Sequence, residues 1–236
     1  MNKEQGSLQK AVDGDYNISV GTVLSEAWSL VKGIKLQFFG AFVIYLVIAI
    51  IVSALISMFL DAKPYYDADL YAQGFATDIL AGWLASPVTV PLSLGFLLLG
   101  YARANGEERS IQSIFDYYIL VWPLVFAAIS VSIITYLGYL FFILPGIYFS
   151  IAYLFALPLM IDKKLGVWAA MEVSRRAVTK HWFSIFGVNI SLFILVMLSA
   201  IPLGIGLFWT VPMMLIAQGV MYRTIFGWKV DEVLET

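Results

Sequence analysis

Arg175, Arg176, Lys180 and His181 fall within one short stretch flanked by Trp168 and Trp182. Cations at that spacing suit anion recognition, because guanidinium groups match phosphate and carboxylate oxygens. Beside an anionic leaflet each such cation contributes about 1 kcal/mol. The competing role is topological: charges of this kind hold a loop on the cytoplasmic side. Asn189 and Gln218 are the strongest polar side chains within otherwise apolar stretches. Amides at that depth either hydrogen-bond one helix to another or line a wet path. Ser130, Ser132, Thr135, Ser150, Ser184 and Ser191 are the weaker polar groups at similar depth. Asp78, at the outer edge of an apolar stretch, reads as a solvated residue opening a helix.

Other chemistry is excluded by composition. There is no Cys, so thiolate nucleophiles, thiolate metal sites and disulfides are absent. A single histidine, His181, rules out a multi-His metal centre. No H-E-x-x-H, Walker A, G-x-S-x-G or dinucleotide fingerprint occurs. Acid/base catalysis needs convergent pairs, and none is legible in the sequence. The reading is therefore not an enzyme, with no cofactor and no metal. A net charge of −2 offers no basic field for nucleic acid.

The elements that carry these residues are membrane helices. Apolar residues form 61% of the chain and charged residues 13%, too few charges for a water-exposed surface of this size. Six apolar stretches, at 39–60, 77–100, 119–141, 143–161, 183–203 and 205–222, are each long enough to span a bilayer. Pro87 and Pro91 predict a kink in the second. Leu144-Pro145-Gly146 predicts a tight turn between the third and fourth, and Ile201-Pro202-Leu203-Gly204 another between the fifth and sixth. Residues 1–17 form a polar tail without the features of a secretory signal, 18–222 a single membrane domain, and 223–236 a second tail.

Charge sets the orientation. Of the 14 Lys and Arg residues, all but Lys63 fall in the N-terminal segment, in the loops at 101–118 and 162–182, or in the C-terminal tail. Lys63 stands among Asp61, Asp67 and Asp69 on the other side. Both termini are thus expected in the cytoplasm.

A weaker, amphipathic stretch precedes the first, third and fifth spans. In 19–36, Val20, Leu24, Ala27, Trp28 and Val31 form one face, with Ser25, Glu26, Ser29 and Lys32 opposite. In 110–118, Ile111, Ile114, Phe115 and Tyr118 form an apolar face, and Ser113 and Asp116 have capping-box spacing. In 165–182, Val167, Trp168, Met171, Val178 and Trp182 are expected to face lipid, with Glu172, Arg175, Arg176, Thr179 and Lys180 in water. The pattern suggests an internal repeat of one interfacial helix followed by a two-helix hairpin, three times over. Val90-Pro91-Leu92 and Val211-Pro212-Met213 support it: Tyr101 and Tyr222 follow at equal distances, then Arg103 and Arg223. Leu157-Pro158-Leu159 holds the matching place in the middle unit.

Leu144-Pro145-Gly146-Ile147-Tyr148, then Leu157-Pro158-Leu159, then Ser174-Arg175-Arg176 with His181-Trp182, resembles a group of bacterial six-helix inner-membrane proteins. The group includes the YciC-like proteins and the membrane domain fused to some glycerophosphodiester phosphodiesterases. The resemblance runs over about 20–225 and rests on short apolar motifs. It implies the fold and a bacterial inner-membrane location, and it supplies no catalytic residue.

The expectation is an all-α integral membrane protein with six transmembrane helices as three hairpins, each preceded by an amphipathic interfacial helix. Its leading role is membrane organisation or partner and lipid binding through the basic helix at 165–182. The partners would be membrane lipids and a cytoplasmic or membrane protein. The alternative is a transporter or channel for a small neutral or lipid-like solute, passing near Asn189 and Gln218.

Overall fold

The computed structural model describes residues 6–60, 68–201 and 203–228, with only the backbone at 68–76. Lys3, Asp61, Lys63, Asp67, Pro202 and Lys229 lie outside the described residues, as does the Asp69 side chain. Every regular element among the described residues is helical. They are α1 (Leu8–Asp13), α2 (Val20–Leu30), α3 (Lys35–Leu60), α4 (Ala68–Asn105), a 3-10 helix (Ile111–Leu120), α5 (Val121–Phe141), α6 (Ile143–Ala152), α7 (Ala156–Asp162), α8 (Val167–Lys180), α9 (Trp182–Ala200) and α10 (Leu207–Phe226).

Five stretches are long and apolar enough to cross a membrane: Lys35–Leu60, Thr77–Asn105, Ile111–Phe141, Ile143–Asp162 and Trp182–Ala200. Their outward faces are apolar, with Ile50, Phe59, Leu140, Phe183 and Phe193 all exposed, as lipid-facing surfaces require. α10, expected as the sixth span over 205–222, falls outside that set of five. It carries Thr210, Gln218 and Arg223, and every residue from Leu215 to Arg223 is buried.

α10 packs most extensively against α4. Glycine makes this approach possible. A Cβ on Gly100 would stand 2.5 Å from the Leu215 carbonyl carbon, and one on Gly219 would stand 2.6 Å from the Tyr101 Cα. Small residues of this kind let membrane helices touch backbone to backbone.

The short helices lean against long ones. α2 packs along α10, the 3-10 helix along α4, and α8 along α6 and α7. Glu26 reaches Arg223 near one end of α10, while the Lys35 ammonium lies 4.9 Å from the ring centroid of Trp209 near the other. The segment from Glu26 to Lys35 therefore runs alongside α10. Val23, Ala27 and Val31 form the buried face of α2 and its C-cap, whereas Trp28, read as part of the apolar face, is exposed.

Several local expectations change. α4 continues as one helix through Pro87 and Pro91. Pro87 has no N–H for the Trp83 carbonyl, and the Ser86 hydroxyl donates to that carbonyl instead at 2.6 Å. Asp78 lies well inside α4 and does not open it. The turn between α5 and α6 is made by Phe142 in an extended conformation, and Pro145 sits in the first turn of α6. That position tolerates proline, because first-turn N–H groups lack helical acceptors anyway. The stretch 143–161 is two helices, α6 and α7, broken at Tyr153–Phe155. Ser110, rather than Ser113, holds the N-cap position of the 3-10 helix but makes no side-chain cap bond, and the Ser113 hydroxyl donates to the Ser110 carbonyl at 2.8 Å.

Candidate functional site

α8 carries the basic cluster. Its inner face is Ala170, Met171, Ser174, Ala177 and Val178, all buried. Met171 and Val178, expected toward lipid, therefore pack inward, while Trp168 remains exposed with its ring edge on Phe126. The helical period then turns Glu172, Arg175, Arg176, Thr179 and Lys180 to the other side.

Arg175 donates to both Glu172 carboxylate oxygens at 2.8 Å, and Arg176 Nε donates to Oε1 at 2.5 Å. The bonds from Arg175 and then Arg176 hold the Glu172 carboxyl down at about 2. The same Glu172 bond raises Arg175 further above the ordinary arginine range. One carboxylate is thus shared between two guanidinium groups, and the side-chain exposures of 36%, 58% and 42% leave all three in reach of solvent. Coulomb attraction there is screened, so the clamp shapes the surface more than it stabilises the fold.

The N-terminal segment closes over the end of α8. His181 Nε2 lies 3.0 Å from the Gly14 carbonyl oxygen, and the Tyr16 ring packs on the imidazole at 4.6 Å. The Tyr16 hydroxyl donates to the Ala177 carbonyl at 2.7 Å, and burial raises its phenol pKa. Gly14 adopts φ 84°, a left-handed turn, with the Lys180 side chain against it. A cavity of about 480 Å3 remains between these parts, lined by Val12, Asp13, Arg175, Arg176, Thr179 and Lys180. Three of the candidate residues named from sequence, Arg175, Arg176 and Lys180, thus share one surface, whereas His181 contacts the N-terminal segment instead.

Sequence reasoning missed Asp13 and Tyr16, which reach α8 only through tertiary packing. It placed Glu172 on the right face without its role. The i, i+3 and i, i+4 spacing to Arg175 and Arg176 was the available signal.

Ser174 does a separate job. Fully buried, its hydroxyl donates to the Ala152 carbonyl at 2.7 Å and accepts from the Phe155 N–H at 3.3 Å. These backbone groups flank the break between α6 and α7, where the helical ladder cannot serve them.

A second polar centre joins the ends of α4, α7 and α10. The Arg223 guanidinium, 7% exposed, binds both Glu26 oxygens at 2.9 and 3.0 Å and also donates to the Ala104 carbonyl. Tyr222 donates to Asp162 at 2.7 Å, and Asp162 pairs with Lys163 at 2.9 Å. Lys163 also reaches the Gly227 carbonyl. The Tyr101 and Tyr222 rings meet at 5.1 Å, with Trp228 and Phe155 packed around them. Glu26, expected in water, is a partner of Arg223 instead. An arginine withdrawn from water needs a carboxylate, and α2 supplies it.

Asn189 and Gln218 meet between α9 and α10. Gln218 donates to Asn189 Oδ1 at 2.8 Å, and Asn189 donates to the Ile185 carbonyl at 2.8 Å. Gln218 Oε1 is buried without a hydrogen-bond partner. No cluster of His, Cys, Asp and Glu suited to a metal ion occurs among the described residues.

Comparison of the chain with protein-family models, curated proteins and solved structures finds no match.

Proposed function

We propose that this chain is a non-enzymatic integral membrane protein whose basic α8 surface engages anionic headgroups or the acidic face of a partner on the cytoplasmic side. The carrying observation is that Arg175, Arg176 and Lys180 share one exposed surface and that Glu172 is the only anion bonded to it among the described contacts. α10 then counts as a sixth span, shielded from lipid by α2, α4 and α9. Its polar residues fit that enclosed position, because intramembrane polar groups favour the bundle interior. Both termini lie in the cytoplasm on the Lys/Arg distribution, and the inner membrane of a bacterium is the proposed home.

The threefold repeat also belongs to this reading. α2, the 3-10 helix and α8 each precede a long apolar pair, and each packs on the second long element of another pair. The equivalent tyrosines Tyr101 and Tyr222 meet at the centre with their rings tilted by 39°. The solute-path alternative has less support, since the amides of Asn189 and Gln218 bond to each other.

The test is native mass spectrometry of the full chain, with wild type compared with a triple Arg175→Gln, Arg176→Gln, Lys180→Gln variant. At about 1 kcal/mol per cation, offset by Glu172, the variant should retain anionic lipid at least about tenfold less well. Equal retention, with topology preserved, refutes the role of α8.

A further inference from the structure

A cleft of about 440 Å3 opens between the starts of α3 and α10. Phe38, Phe39 and Phe42 form one wall, and Phe208, Trp209 and Pro212 the other. The Phe39 and Phe208 rings meet at 5.7 Å and tie the walls together. Its size lies in the range of ligand cavities, about 300–1,000 Å3. The Trp209 indole is the one polar side chain of its described lining.

A cation stands at the edge of that lining. The Lys35 ammonium lies 4.9 Å from the Trp209 ring centroid, where the face of the indole attracts it. Two contacts fix the chain around it. Arg103 donates to the Leu30 and Lys32 carbonyls at 3.1 Å and holds the turn before α3. Gln37 donates to the Arg109 carbonyl and pins the first turn of α3. Among the described residues, no carboxylate lies within ion-pair distance of Lys35.

The surroundings keep the positive sign. Both α3 and α10 begin at the cleft, and neither has an acidic residue in its first turn. Each therefore brings the positive end of its dipole there without a neutralising side chain. Glu107 and Glu108 line a neighbouring cavity beyond Phe38, together with Arg103 and Arg109, which balance them. An apolar cleft with an unpaired cation at its edge is complementary to an anion on an apolar chain.

We propose that this cleft binds a single-chain carboxylic acid, with the carboxylate on Lys35 and the chain along the phenylalanine wall. An alcohol of the same chain fills the same space but offers Lys35 no charge, so it binds less well. The cleft is separate from the α8 surface and shares no residue with it.

The probes are a diazirine-bearing hexadecanoic acid and the corresponding alcohol. Each is photolysed with the full chain in nanodiscs of zwitterionic lipid, in alkaline buffer that ionises the acid, and the labelled sites are mapped by peptide mass spectrometry. Labelling of 38–42 and 208–212 should saturate at a mole fraction of acid about tenfold below that of alcohol. Lys35→Gln should bring the acid to the level of the alcohol while leaving alcohol labelling unchanged, which shows that the cleft persists. Lys35→Arg keeps both the charge and the stacking and should preserve the preference. The triple Arg175→Gln, Arg176→Gln, Lys180→Gln variant should alter none of this, so the cleft and the α8 surface can fail independently. Equal saturation by acid and alcohol, acid labelling spread evenly over the lipid-facing helices, or a preference that survives Lys35→Gln would each overturn the proposal.

Discussion

Replacing Ser174 by Ala should destabilise the protein far more than the loss of one surface hydroxyl would. Ser174 is 0% exposed, so no water can replace its oxygen without repacking. Two backbone groups depend on it, the Ala152 carbonyl at 2.7 Å and the Phe155 N–H at 3.3 Å. Leaving a buried polar group unsatisfied costs about 1–3 kcal/mol. The carbonyl bond is short and counts in full, whereas the longer N–H bond counts for less. The expected loss is about 2–4 kcal/mol. For a chain of this size that lowers the melting temperature by about 4–16 °C. Ser150→Ala is the internal control, since Ser150 is exposed and its hydroxyl bonds only the Ile147 carbonyl of its own helix. Thermal unfolding of both variants in the same detergent, followed by circular dichroism, gives the comparison. A Ser174→Ala melting temperature within about 1 °C of wild type would refute the assignment of Ser174 as the cap of the α6–α7 break.

Two further outcomes follow from the charged contacts. Breaking the buried ion pair with Glu26→Ala should cost about 3–5 kcal/mol, because Arg223 keeps its charge in a site 7% exposed; Glu26→Ala with Arg223→Met should recover part of that loss in a double-mutant melting cycle, and strict additivity would contradict the pairing. Glu172 is held at about 2 against an ordinary 4.5, so its contribution is present above 4.5 and is lost as pH falls toward 2; an NMR titration of its carboxyl should show a midpoint near 2, and a midpoint at 4 or above would dissolve the Arg175–Glu172–Arg176 clamp.

What the sequence by itself determined were properties of single segments. Five of the apolar stretches emerged as helices long enough to span, because an unbroken apolar run must satisfy its backbone internally. The facing of Arg175, Arg176 and Lys180 was equally legible, since helical periodicity alone sets it. The Asn189–Gln218 contact was available as one of two readings, because amides at membrane depth seek each other.

Tertiary structure decided everything that depends on a second segment. Glu26 reads as a water-facing residue until Arg223, nearly two hundred positions away, is placed beside it. Ser174 reads as an ordinary helical serine until the α6–α7 break presents two backbone groups to it. The one sign of that break in 143–161 is Pro158, which has no N–H for the Leu154 carbonyl, whereas Pro145 is harmless in a first turn. Asp78 looked like the opening of a helix because hydropathy starts there, yet α4 begins earlier and carries it into a cleft built half from α5. The physical reason is common to all of these. Hydropathy and periodicity report how a segment meets its solvent, whereas the partner of a polar group depends on which helix the fold sets against it.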